Sequence, residues 1–71
     1  MAIEMPRKIK ELIRDLKRAG FVHRGGKGSH RRFQHPTGAR MTLSGNSGDD
    51  AKAYQELDVA RAIRESKDSE S

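Results

Sequence analysis

Five apolar residues constrain this chain most: Ile9, Leu12, Ile13, Leu16 and Ala19 recur at the i, i+3, i+4, i+7 spacing of one buried helical stripe. The spacing predicts a helix over residues 5–19. Pro6 suits its first turn, where a missing N–H costs no helical hydrogen bond. Gly20 stands where a left-handed C-terminal cap is needed. In a chain of 71 residues such a stripe must be covered by the remaining elements, because one domain of this size has only one core to build.

The middle of the chain reads as strands. Residues 21–24 form a short apolar and basic run, and Arg24-Gly25-Gly26-Lys27-Gly28 places three glycines in five positions, which demands a loop. Residues 29–35 read as a second strand, 36–39 as a turn around Pro36 and Gly38, and 40–44 as a third strand with Met41 and Leu43 on one face. In the second strand a period of two places Phe33 with Ser29 and Arg31, and places His30, Arg32 and Gln34 on the other side. If Phe33 enters the core, His30 and Arg32 meet solvent. Residues 44–53, with Gly45, Asn46, Gly48, Asp49 and Asp50, read as a loop. A second helix is predicted from about Tyr54 to Glu65 on the recurrence of Leu57, Ala60 and Ile63, with Tyr54 and Val59 as additions. The expected architecture is α+β: helix, three antiparallel strands, helix, with both helices on one face of the sheet and the other face open. A single domain is expected over 1–66, with 67–71 a frayed polar tail.

Composition enters through what it excludes and where it places charge. With no cysteine, disulfides and thiolate zinc sites are ruled out. Apolar residues are 32% of the chain, so the core is lean and a partner would add stability. No apolar run approaches the roughly 18 residues of a membrane span, and the N-terminus lacks the apolar stretch of a secretory signal, so a cytoplasmic protein without a membrane partner is expected. The net charge of +5 is unevenly spread. Lys17, Arg18, Arg24, Lys27, Arg31, Arg32 and Arg40 fall between residues 16 and 48, a stretch without a single carboxylate. Such a block suits a polyanion that releases counterions on binding. On the first helix, Arg7, Lys10, Arg14 and Lys17 share a flank that is either a second set of phosphate contacts or an ordinary solvated face.

Gly28-Ser29-His30 sits where the glycine loop meets the second strand. Glycine admits a phosphate close to the backbone, and Arg24, Lys27, Arg31 and Arg32 surround the triplet with positive charge. Imidazole, with an unperturbed pKa of about 6.5, accepts or donates a proton near neutral pH. On an RNA backbone it can take the proton of a 2′-hydroxyl attacking the adjacent phosphorus, or protonate the departing 5′-oxygen, while cations steady the developing charge. His23 and His35 are lesser candidates, His35 reading simply as a strand end before Pro36. Ser29 has no triad around it, the glycine loop lacks the Lys-Ser/Thr ending of a nucleotide P-loop, and Phe21, Phe33 and Tyr54 offer few stacking platforms for bases. The triplet alone is common by chance.

The run from Pro6 to His35 nevertheless resembles the HicA family, the small RNA-cleaving toxins of HicA–HicB toxin–antitoxin modules. The resemblance is carried by the amphipathic helix ending in Ala19-Gly20-Phe21, the Arg/Gly-rich loop, Gly28-Ser29-His30 followed by Phe33, and the hairpin sequence His35-Pro36-Thr37-Gly38. It implies a double-stranded-RNA-binding-like α-β-β-β-α fold, a metal-independent endoribonuclease acting on mRNA without a cofactor, and a HicB-type antitoxin as partner. It places the family's catalytic histidine at His30. Charge and position, apart from the resemblance, make Lys10, Arg14, Arg24, Lys27, Gly28, Ser29, Arg31 and Arg32 the expected RNA contacts. After the third strand the chain departs from the family's commonest pattern: residues 44–50 and Tyr54 stand where many members carry a proline-rich stretch and a Gly-Thr-Leu helix entry. Two other readings use the same basic block: a non-catalytic RNA-binding module, and an interaction domain that docks an acidic protein.

Overall fold

The first helix, α1 (Ile9–Arg18), buries Ile9, Leu12 and Leu16 and half-buries Ile13 and Ala19, the stripe expected from the spacing. The computed structural model describes residues 7–68, so the assignment of Pro6 to the first helical turn lies outside the described residues. The helix begins later than the spacing predicts, at Lys8 as N-cap (φ −86°, ψ 154°). The reason is a backbone lock. The Ala51 N–H donates to Arg7 O, and the Ile9 and Lys10 N–H groups donate to Asp49 O and Ser47 O at 2.9 and 3.1 Å. Two N–H groups that a helix start leaves without partners are thus satisfied by carbonyls of the segment after the third strand. Glu11 Oε1 adds a bond from the Lys8 N–H at 2.8 Å.

The other end of α1 closes as expected. Gly20 is left-handed (φ 102°), its N–H donates to Lys17 O, and the Phe21 N–H donates to Leu16 O at 2.9 Å. This is a Schellman motif, and its apolar contact pairs the buried Leu16 with the buried Phe21.

The chain then forms β1 (Val22–Gly25), β2 (Arg31–Gln34) and β3 (Arg40–Leu43), an antiparallel sheet in the order β1-β2-β3, and ends in α2 (Ala53–Asp68). The element order is therefore the expected α-β-β-β-α, an α+β fold. Pairing sets Arg32 opposite Thr42, Phe33 opposite Met41 and Gln34 opposite Arg40. Phe33 and Leu43 join Ile9, Leu12, Leu16, Phe21, Ala51, Val59 and Ala62 in one core between sheet and helices. Arg32, Arg40 and Thr42 are exposed on the opposite face.

The second helix departs from the sequence expectation. Its buried positions are Gln55, Val59, Ala62 and Ser66, at helical spacing, with Ile63 half-buried. Leu57 and Tyr54 are 65% and 57% exposed, and Ala60 is exposed. The buried face is partly polar, so apolar spacing misplaces it. Gln55 and Ser66 go inside because their groups are matched: Gln55 Nε2 donates to Ser44 O (2.7 Å), its Oε1 accepts the Lys52 N–H (2.8 Å), and Ser66 Oγ donates to Ile63 O (2.6 Å). The helix also runs past the expected Glu65. Lys67 and Asp68, assigned to a frayed tail, are helical, and 69–71 lie outside the described residues.

His35 is a structural residue. Only 5% exposed, its ring stands edge-on to Phe21 with centroids 5.1 Å apart. Nδ1 accepts the Thr37 N–H at 3.1 Å, which leaves the proton on Nε2 to be donated to Ala19 O at 3.0 Å. The ring therefore ties the end of α1 to the β2–β3 turn. A Cβ at Gly20 would stand 2.9 Å from Nε2, so both φ and space demand glycine there. Replacing the ring by His35→Ala is expected to cost about 2–4 kcal/mol through lost packing and an unpaired Ala19 carbonyl. Urea unfolding should show this as a lower midpoint with unchanged slope, and an unaltered midpoint would contradict the role.

Candidate active site

The β1–β2 connection is built by close backbone approach. Gly26 has φ 135°, and a Cβ there would stand 1.9 Å from His30 O, a contact no side chain tolerates. The His30 N–H donates to Lys27 O at 3.0 Å, closing a turn over residues 27–30. This turn replaces the first part of the expected strand. Ser29 and His30 lie in the connection, and β2 starts one residue later, at Arg31.

The consequence for His30 is an exposed imidazole held at the very start of a rigid strand. Its ring has no hydrogen-bond partner among the described residues. Lys27 and Gly28 are exposed beside it and Ser29 is half-buried. Arg24 and Arg32, on adjacent strands, are exposed and form no ion pair among the described residues.

Other expected contacts sit elsewhere. Arg31, on the core-side parity of β2, is half-buried and turned to the segment after β3: its Nη1 donates to Gly45 O at 2.9 Å and its Nη2 to Ser47 Oγ at 3.4 Å. The same segment, residues 45–49, supplies the carbonyls that cap α1. Lys10 and Arg14 are exposed on α1. Arg7, grouped with them by spacing, is diverted. It lies before the helix and pairs with Asp15 at 2.7 Å. That hydrogen bond, with the negative charges of Asp15, Glu11 and Glu56, raises its pKa further above the ordinary arginine value against a small cost of desolvation.

Lys8 likewise pairs with Asp50, which raises its pKa above the ordinary lysine value of 10.5. A raised lysine pKa contributes stability below the unfolded value and loses it as pH rises through the folded one. The lysine's part in the pair is therefore constant through the neutral range and is lost in alkali.

His23, a lesser candidate, is placed by the strand register. It pairs with Phe33, with ring centroids 5.4 Å apart, and so belongs to the parity opposite Arg32. It does not join His30. A bulge between His23 and Gly25 shifts the register, which the sequence shows only as a glycine at the strand end. Among the described residues, no three His, Cys, Asp or Glu side chains gather as a metal site requires, and no helix is long and apolar enough to cross a membrane.

Missed by sequence reasoning are Gln34, Arg40 and Thr42, which with Arg24 and Arg32 line a groove of about 500 Å³ on the open face of the sheet. Only the β2–β3 register brings them together, although Arg40 lies in the acid-free block.

The arrangement is an exposed proton-transfer group at the rim of a cationic sheet face, supported from beneath by Arg31. Arg31→Leu is expected to loosen residues 45–49 at a cost of about 1–2 kcal/mol. Hydrogen exchange should quicken at the Ile9 and Lys10 amides, whose acceptors lie in that segment. Unchanged protection there would contradict the coupling.

The model of a protein family described as the HicA toxin of bacterial toxin–antitoxin systems matches residues 9–64 of the chain. No curated protein matches it.

Proposed function

Because the chain belongs to the HicA toxin family, with the match running from the start of α1 into the last turns of α2, we propose that it is the toxin of a type II module and an endoribonuclease that cleaves mRNA with His30, without a metal. One observation carries this reading. His30 is exposed at the junction of a glycine loop and a strand, next to cations that no carboxylate neutralises among the described residues. Phosphate of an RNA backbone is the ligand that this charge arrangement favours.

In the proposed reaction the neutral imidazole of His30 takes the proton of a 2′-hydroxyl. The 2′-oxygen bonds to the adjacent phosphorus, and the bond from phosphorus to the 5′-oxygen breaks. The proton held by the imidazolium passes to that oxygen, directly or through water, so one histidine ends in its starting form. The products are a 2′,3′-cyclic phosphate and a 5′-hydroxyl. Lys27, Arg24 and Arg32 compensate the charge that grows on the non-bridging oxygens. Gly28 and Ser29 provide backbone that a phosphate can approach closely, and Lys10 and Arg14 extend the positive field. Arg31, assigned by spacing to RNA, serves mainly as a positioning residue through Gly45 and Ser47. A HicB-type antitoxin would silence the protein by covering His30, and the proposed place of action is the cytoplasm, where mRNA is met.

A second reading, a non-catalytic RNA-binding module of this fold, has one observation in its favour: among the described residues no second side chain orients the His30 ring. Cleavage decides between them. Expression of the wild-type chain should arrest growth and degrade mRNA, and His30→Ala should remove both, lowering the cleavage rate at least about 100-fold with an unchanged unfolding midpoint. Full toxicity in that variant would exclude His30, and RNA binding without cleavage by the wild type would favour the second reading.

A further inference from the structure

The open face of the sheet has a composition that burial and fold do not explain. Arg24, Arg32 and Arg40 bound the groove across all three strands, with Gln34 and Thr42 between them, and the lining is completed by Phe33 and Met41, whose side chains belong to the core and its margin. No carboxylate lines it, and none of the three guanidinium groups forms an ion pair among the described residues. Asp58 and Glu65 of α2 approach Arg40 only at the outer edge of β3, in a separate depression. Cross-strand register fixes the spacing. Arg32 faces Thr42 and Gln34 faces Arg40, so Arg32 and Arg40 are diagonal neighbours, whose Cα atoms stand about 7–8 Å apart. Arg24 lies at the bulge where Gly25 pairs with Arg32. Like charges brought this close repel, and they favour a ligand that places negative charge between them.

We propose that this groove is a binding track for single-stranded RNA backbone leading away from His30, with Arg40 a substrate-binding residue and Gln34 and Thr42 contacting sugar or base edges. The track starts at the reacting group. Arg32 and Gln34 lie two residues apart on β2, about 6–7 Å along the strand, a step that matches successive phosphates of an extended strand, and His30 stands immediately before the strand begins. Planar guanidinium groups grip phosphate through two parallel hydrogen bonds. The side chains are those of a phosphate site and not of a protein-docking patch, whose centre is typically aromatic and depleted of charge. Side-chain amide and hydroxyl groups on the floor pair with the edges of unpaired bases, which a duplex hides.

The proposal rests on RNA as the ligand but not on cleavage, so its test separates the two. Binding is measured with a mixed-sequence single-stranded RNA oligonucleotide and the His30→Ala protein, over a range of salt. Cleavage of the same oligonucleotide is measured with His30 intact. Arg24→Gln and Arg40→Gln are each compared with Arg64→Gln, a change on α2 away from the groove. Each groove variant should weaken binding about five- to tenfold at low salt and reduce the slope of log K against log salt by about 0.7, the value for one lost phosphate contact on a single strand. For Arg40→Gln KM should rise with kcat nearly retained, whereas Arg24→Gln, which also removes a cation from the growing phosphate charge, should lower kcat as well. Arg64→Gln should leave the slope unchanged. Groove variants that behave like Arg64→Gln while the wild type still cleaves RNA would overturn the track and leave the proposed function standing. Reduced slopes in a protein that never cleaves would support the track and overturn the nuclease. Tighter binding of a duplex, or of poly-L-glutamate through the same arginines, would also overturn the assignment.

Discussion

Burial of Phe33 is the interaction on which the rest of the arrangement depends. At 2% exposure it is the largest fully buried side chain, and it sits in the central strand of three. Burying a side chain of this size contributes about 1.5–3 kcal/mol, a large share of what a domain of this length has in hand. A slip of one residue in β2 would send Phe33 into water and Arg32 into the core. The penalty for that slip fixes the register, and the register fixes the faces: Phe33 and Leu43 inward, Arg32, Thr42 and Arg40 outward. Which positions face outward is thus settled by where one aromatic ring must go, while the arginines that fill them are not.

The second support is the segment from Ser44 to Ala51, which carries no regular structure yet reaches three elements. Its carbonyls cap α1, it receives Arg31 from the start of β2, and its Ser44 carbonyl accepts from Gln55 of α2. Every buried side-chain nitrogen and oxygen among the described residues has a partner, as a small core requires. His30 is the residue immediately before Arg31. The exposed imidazole is therefore held through its own backbone by the half-buried neighbour, which allows an open loop to present a group in a fixed place.

Legibility in the sequence depends on how local each residue's partners are. The α1 stripe, its Gly20 cap and the alternation around Phe33 involve near neighbours in sequence, and they are readable. The face of α2 is not. Gln55 and Ser66 are buried only because Ser44, Lys52 and Ile63 offer partners, and a polar residue at helical spacing gives no hint of that. His35 reads as a strand end because its partner, the Ala19 carbonyl, is remote in sequence. Arg7 groups with Lys10 and Arg14 on a helical wheel that does not extend to it. In the candidate site, exposure of Arg32 comes from parity and Arg31 turns inward by the same parity to find Gly45, whereas His30 is exposed by the turn over residues 27–30, which alternation does not reveal. The role of Arg40 depends on strand pairing, which the acid-free block does not encode.

Together these features describe a chain in which the core needs of a lean domain fix an outward face that arginines fill, and a glycine loop sets a histidine at their edge. On this account RNA meets this side and no other. The most direct measurement is an amide-shift map by NMR of the 15N-labelled protein with an RNA carrying 2′-deoxy sugars, which cannot supply the attacking hydroxyl. Shifts confined to Arg24, Gly26–Ser29, His30, Arg32, Gln34 and residues 40–42 are the predicted result. Shifts centred on the exposed Tyr54 and Leu57 of α2, with the His30 loop unmoved, would contradict it.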